Sequence, residues 1–222
     1  IKTRKISIFS DFILFSKYFR VIRKYQPETI LSFTIKPNIY IGIIRRVLPI
    51  KLVSNVTGRG SVFNSTPTVI RIVKYLYRIS FKRTDVVFFQ NEFDMNYFKI
   101  NRLVTNQYYL LPGSGVNLTE FSYSPYPSNS VIKFLYAGRI MREKGIDLFL
   151  DVAKEYRENK LNVEFHVVGD LNPNYEQEIL RLHQNETIVY HHFQRDLRSL
   201  YNGCHCLINQ TFYPEGMSNV LL

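Results

Sequence analysis

Residues 132–170 read IKFLYAGRIMREKGIDLFLDVAKEYRENKLNVEFHVVGD. Ile132–Ala137 is a short, β-rich apolar run. Ile146–Arg157 is a helical segment, and Val163–Val168 returns to a strand. The pattern continues with a helix over Tyr175–Gln184, a strand over Thr187–His191, a helix over Leu197–Tyr201 and a strand over Cys206–Asn209. Strand and helix in strict alternation mean parallel sheets with helical crossovers.

Working outward, the first half shows the same alternation. A helix spans Phe12–Tyr25, a strand Thr29–Phe33, and Pro37 opens a helix through Arg46, since proline is tolerated at a first helical position. Strand Lys51–Asn55 leads into a loop, Thr57–Thr66, holding Gly58 and Gly60. Helix Pro67–Lys82, strand Asp85–Gln90 and strand Tyr108–Leu111 follow. Val116–Ser130 has turn residues throughout and no hydrophobic period, so it reads as a linker. The expected fold is α/β with two Rossmann-like domains, residues 1–115 and 131–222, joined by 116–130 and each incomplete.

Composition agrees. Of 222 residues 45% are apolar, which excludes a disordered or fibrous chain and supplies a sizeable core. The net charge is +11, a value that ordinarily points to nucleic acid or an anionic membrane. It is unevenly placed. Residues 1–115 hold 19 basic against 5 acidic side chains, a balance of +14, and residues 116–222 hold 10 against 13, a balance of −3. No stretch reaches the roughly 20 apolar residues of a membrane span. Cys204 and Cys206, the two cysteines, alternate on one strand and make a poor disulfide, which suits a reducing cytosol. His205 between them cannot converge with both on one metal, so no metal is expected. The chain starts at Ile1 and stops inside Val220-Leu221-Leu222, and reads as an internal fragment that is inactive alone.

Ligands of open parallel sheets bind beyond the carboxyl ends of the strands, and three loops there carry candidate chemistry. In Gly138-Arg139…Lys144-Gly145 a guanidinium, an ammonium and a helix N-terminus suit a pyrophosphate clamp. The same residues also suit an ordinary solvated turn. Val168-Gly169-Asp170 ends a strand as nucleotide pockets often do, and as simple turns do too. In Glu215-Gly216-Met217-Ser218-Asn219 a carboxylate and backbone N–H groups could meet sugar hydroxyls or phosphate, or merely cap a helix.

In this order the three loops resemble the retaining glycosyltransferases of family 4, which have the GT-B fold. The first half narrows the resemblance: residues 34–40 (TIKPNIY), 55–63 (NVTGRGSVF), 88–91 (FFQN) and 111–117 (LPGSGVN) look like a bacterial subgroup that builds O-antigen, capsule and related glycans on lipid-linked acceptors. The resemblance implies transfer of a sugar from a UDP- or GDP-sugar, with retention and without a metal or other cofactor. Arg139 and Lys144 would neutralise the diphosphate. Glu215 and the N–H groups of Gly216, Met217 and Ser218 would position the donor, together with Asn219. Gly138, Gly169 and Phe193 would line the donor pocket, and the second glutamate of the Glu-x7-Glu pair would fall just past Leu222. Lys36, Asn38, Gly58 and Gly60 would lie on the acceptor side. The chain departs from the family at Asn209-Gln210-Thr211, where many members carry Pro-Ser, at His192-Phe193, where Leu-Gly is common, and at Arg59, often apolar in the subgroup.

Helix 67–82 places Arg71, Lys74, Arg78 and Lys82 on one face, which suits either a solvated surface or an anionic membrane. With a lipid-linked acceptor the expectation is peripheral contact with the inner face of the cytoplasmic membrane. Two alternatives stay open: a non-catalytic nucleotide- or nucleic-acid-binding protein, and a nucleotide-sugar epimerase of the same fold. The aromatic residues lie largely in apolar strands and helices, where core packing accounts for them better than base stacking, so no nucleic-acid partner is expected.

Overall fold

The computed structural model describes residues 8–105, 107–111, 113–128, 130–212 and 216–221. The chain divides into two compact units, Ile1–Gly115 with Pro214–Asn219, and Val116–Tyr213 with Val220–Leu222.

The first unit contains α1 (Ile8–Tyr25), β1 (Thr29–Phe33), α2 (Ile35–Ile44), β2 (Lys51–Val56), a 3-10 turn (Ser61–Asn64), α3 (Pro67–Phe81), β3 (Val86–Phe89), α4 (Glu92–Ile100) and β4 (Gln107–Leu110). Its four strands form one parallel sheet in the order β1-β2-β3-β4. The apolar core gathers α3, α4 and β3: Tyr77, Phe81, Phe89 and Phe98 are fully buried. Their rings meet edge-on or tilted, with Tyr77 and Phe98 at 4.9 Å and Tyr77 and Phe81 at 5.0 Å between centroids. Burying each such ring contributes roughly 1.5–3 kcal/mol.

Two details differ from the sequence reading. Helix α2 begins at Ile35, two residues before Pro37. A first-turn N–H has no intrahelical partner, so proline at the third position loses no hydrogen bond. Helix α4 has no counterpart in the sequence reading. Its start rests on a cap: the Asn91 side chain accepts the Asp94 N–H at 2.7 Å, and Glu92 and Asp94 place negative charge in the first turn.

The second unit contains β5 (Ile132–Ala137), a 3-10 turn (Arg142–Lys144), α5 (Ile146–Glu158), β6 (Val163–Val168), α6 (Glu176–Gln184), β7 (Val189–Tyr190), α7 (Arg198–Gly203) and β8 (Cys206–Leu207). The sheet is again parallel, in the order β7-β6-β5-β8. The fold is therefore α/β with two Rossmann-like, all-parallel sheets. Phe134, Tyr136, Phe165 and Val167 face the core with Phe149, Leu150, Ile179 and Leu182 of α5 and α6. The alternate residues Lys133, Leu135, Glu164 and His166 point to the opposite face, as the two-residue period of a strand requires. The chain runs β5 to β6 to β7 in one direction, then returns to place β8 on the other side of β5. That reversal creates a switch point between β5 and β8, the place where open parallel sheets generally bind ligands.

Among the described residues no helix is long and apolar enough to cross a membrane, and no group of three or more His, Cys, Asp or Glu residues could hold a metal ion. Cys204 and Cys206 are both free thiols.

Candidate functional site

The carboxyl ends of β5, β6 and β7 are laced together by main-chain hydrogen bonds. Gly138 N–H donates to Val168 O at 3.0 Å, Ile140 N–H to Asp170 O at 2.9 Å, and Gly169 N–H to His192 O at 3.0 Å. Gly169 has φ 149°, and a Cβ added there would lie 1.7 Å from the carbonyl oxygen of Gly138. Only glycine fits that approach.

Beyond Gly138 the loop carries the two candidate cations. Arg139 is exposed, and its carbonyl accepts the Tyr136 hydroxyl at 2.8 Å. Lys144 closes the 3-10 turn, half-buried. Gly145 follows with φ 75°, and α5 starts at once, so its free N–H groups and positive dipole end open onto the same loop. In the first turn of α5, Asp147 accepts the Tyr175 hydroxyl at 2.7 Å; burial, and then this hydrogen bond, push that phenol well above its ordinary value.

The loop after β8 is stitched to the loop after β5 across the switch point. Gln210 Nε2 donates to Gly145 O at 2.7 Å, and Thr211 Oγ1 donates to Glu143 O at 3.2 Å. A Cβ on Gly145 would meet the Gln210 side chain at 2.3 Å. Gln210 and Thr211, known from sequence only as a departure from Pro-Ser, thus hold the Lys144 loop in place. Gln210 Oε1 is buried without a hydrogen-bond partner. The signal available in sequence was only the polar character of Asn209-Gln210-Thr211.

Phe193, expected to line the donor pocket, is 66% exposed after the turn at His192, whose φ is 56°. Glu215 lies outside the described residues. Gly216 is placed in the first unit: its N–H donates to Thr57 O at 3.0 Å, and a Cβ there would meet Thr57 O at 2.5 Å and Gln90 Oε1 at 2.6 Å. Met217, Ser218 and Asn219 follow it, with Asn219 starting a 3-10 turn, Asn219–Leu221.

One acceptor-side expectation does not fit the structure. Asn38 is fully buried. Its Oδ1 accepts from Ser32 Oγ at 2.7 Å and its Nδ2 donates to Asn55 O at 2.9 Å, while its carbonyl accepts from Ser80 Oγ at 2.6 Å. A residue with all these groups satisfied inside the core has no surface for a substrate. Lys36 pairs with Asp11 at 2.5 Å, tying α2 to α1, and its side chain stays 37% exposed. Gly58 and Gly60 do sit in a tight loop, with φ 132° and 68°.

The basic face of α3 is also partly committed. Lys74 donates to Asn101 Oδ1 at 2.8 Å, and Arg78 donates to the carbonyls of Asn101 and Arg102 at 3.1 and 3.3 Å. Both cations therefore meet the carboxyl end of α4, where helix dipoles favour positive charge.

The architecture and the matches to known proteins converge on one class. Both halves of the chain match glycosyltransferase family models. Residues 132–222 match the model described as glycosyl transferases group 1, and residues 1–91 match the model described as glycosyl transferase 4-like. Among solved structures the fold is similar to that of Anabaena HepE in complex with UDP, with TM-score 0.71 and 16% identity over 93% of this chain and 59% of that one. Sucrose-phosphate synthase from Thermosynechococcus elongatus gives TM-score 0.71 and 17% identity over 93% and 56%. A glycosyltransferase from Rickettsia africae gives 0.67 and 18% over 99% and 61%. The chain thus spans about three-fifths of the length of these structures. Curated protein sequences yield no match.

Proposed function

We propose that this chain forms part of a GT-B glycosyltransferase that transfers a sugar from a nucleotide-sugar to a lipid-linked glycan, with retention, in bacterial surface polysaccharide assembly. The observation that carries the reading is the β5 loop. Arg139 and Lys144 lie on one short loop that runs into the N-terminus of α5, at the switch point of a parallel sheet whose strand ends are closed by Gly138 and Gly169. Such a site suits a diphosphate, because forked and point cations and a helix N-terminus all oppose its charge. HepE structures similar in fold hold UDP and UDP-glucose, which supports a uridine or related nucleotide as the leaving group.

As the glycosidic bond breaks, negative charge grows on the departing diphosphate. Arg139 and Lys144 stabilise that charge more in the transition state than in the ground state, which is the condition for raising turnover. Glu215 and the amides of Met217 and Ser218 are assigned to the donor sugar; the Gly216 N–H, expected to join them, is taken by Thr57 O. Gln210 and Thr211 hold the Lys144 loop so that the cation arrives already placed.

Membrane contact draws on the first half of the chain. Four of its five acidic residues are paired, Asp11 with Lys36, Glu28 with Lys51, Asp85 with Arg45 and Asp94 with Arg59, so most of its basic residues remain in excess. That surface suits the anionic inner face of the cytoplasmic membrane, at roughly 1 kcal/mol per cation near the leaflet. The test is transfer from a panel of UDP- and GDP-sugars to a lipid-pyrophosphate acceptor by the intact protein. Labelled product from at least one donor is expected; no transfer with any donor, alongside tight oligonucleotide binding, overturns the reading.

A further inference from the structure

We propose that Arg59 is a positioning residue, fastening the Thr57–Gly60 loop to α4 so that Thr57 holds the Gly216 loop in place.

Gly58 and Gly60 both sit at positive φ, where glycine moves easily and the loop has little intrinsic stiffness. The residue between them supplies it. Arg59 Nε donates to Asp94 Oδ1 at 2.7 Å, and the two side chains are only 12% and 2% exposed. Its guanidinium lies against two rings of α4, with Cζ 4.4 Å from the centroids of both Phe93 and Tyr97. Residues 93, 94 and 97 share one side of the helix, so they form a socket of two aromatic faces and one carboxylate.

The carboxylate is itself held. The Asn91 side chain accepts the Asp94 N–H at 2.7 Å and donates to Asp94 Oδ2 at 3.1 Å, leaving Oδ1 for the arginine. A planar fork that stacks and hydrogen-bonds at once suits this socket in a way lysine does not. A buried ion pair adds little net stability over a well-packed apolar pair, but removing Arg59 alone would strand the Asp94 carboxylate in the interior.

The geometry that is fixed includes Thr57, two residues before Arg59. Its carbonyl receives the Gly216 N–H at 3.0 Å, and Gly216 is so close to Thr57 and Gln90 that no side chain fits. Locking 57–60 therefore locks the receptor for the loop assigned above to the donor sugar. The proposal rests on that assignment for its effect on turnover, but not for the mechanical coupling between the two loops.

The experiment compares wild type, Arg59→Leu, Arg59→Lys and Asp94→Asn in the intact protein. Amide hydrogen exchange is read over 57–60 and 216–219, with UDP affinity and donor turnover in parallel. Arg59→Leu is expected to speed exchange at least tenfold in both segments and to lower kcat at least tenfold, with UDP affinity changed less than twofold. Arg59→Lys should restore part of kcat, and Asp94→Asn should resemble Arg59→Leu. Faster exchange confined to 57–60, or unchanged exchange in both, overturns the coupling. So does a kcat loss that only follows a lowered melting temperature. If wild type transfers no sugar at all, the functional reading fails, and exchange in 216–219 still decides the coupling.

Discussion

The carbonyl oxygen of Gly138 occupies the space where a side chain on Gly169 would begin, 1.7 Å from the missing Cβ. Two adjacent strand ends thus depend on one absent methyl. Gly169→Ala would have to push backbone against backbone at φ 149°, at a cost of about 1–3 kcal/mol for overpacking and a similar amount for strain. Gly138→Ala meets nothing within 4 Å and is expected to change stability by less than about 0.5 kcal/mol. Denaturant titration of the two variants side by side checks the contrast.

Removing either cation of the β5 loop should act on turnover and not on folding. Arg139→Ala and Lys144→Ala are each expected to lower kcat by about a hundredfold or more, the scale seen when one preorganised charge stabiliser is deleted. Melting temperatures should stay near wild type. Steady-state kinetics with the active donor is the check, and near-normal rates for both variants would remove the clamp from the mechanism.

Asn38→Ala tests the correction made above. It leaves the Asn55 carbonyl short of a partner inside the core, while Ser32 Oγ keeps Ser54 Oγ at 2.9 Å. Such a group costs about 1–3 kcal/mol, so the variant should be destabilised by roughly that amount. Turnover per folded molecule should be unchanged. A raised acceptor KM at full folded occupancy would return Asn38 to the acceptor site.

A pair of histidines makes the second unit sensitive to acid. The His166 and His191 rings stack at 5.1 Å with His166 Nδ1 2.8 Å from His191 Nε2, and His166 Nε2 lies 3.0 Å from Glu164, which also pairs with Lys133 at 3.0 Å. With Nε2–H of His166 given to Glu164, Nδ1 is left to accept from His191, an arrangement for two neutral rings. Burial lowers both histidine pKa values from the ordinary 6.5, outweighing the opposing pull of Glu164 at His166, and His166, His183, His192 and Lys133 add to the lowering at His191. Between the folded values and 6.5 the unfolded chain binds more protons, so stability there rises with pH and is lost as pH falls. Glu164, lowered first by Lys133, acts in the same direction at lower pH. Denaturation midpoints measured from pH 5 to 7.5 should fall on acidification, and His191→Phe should flatten the slope below 6.5.

Much of the fold was legible because it is written in local periods. Ile132–Ala137 and Val163–Val168 are strands with the bounds read from sequence, and Thr29–Phe33 likewise. Helix α4 escaped because its strongest signal is a cap at Asn91, and its apolar residues are drawn into the core by α3 and β3. The loops around Gly138 and Gly169 were legible as glycines after strands. Gln210 and Arg59 were not, because their partners Gly145 and Asp94 lie 65 and 35 residues away.

The sequence by itself determined the alternation of strand and helix, the parallel sheets that alternation demands, and the glycines that end strands β5 and β6. Those follow from short-range geometry: side-chain period, proline and glycine backbone limits, and capping. Only the tertiary structure decided that β8 returns beside β5 to open a switch point. It also decided that Asn38 serves the interior of the fold, and that Arg59 is bound between two rings. These are matters of which distant segment a side chain meets, and no local period encodes that.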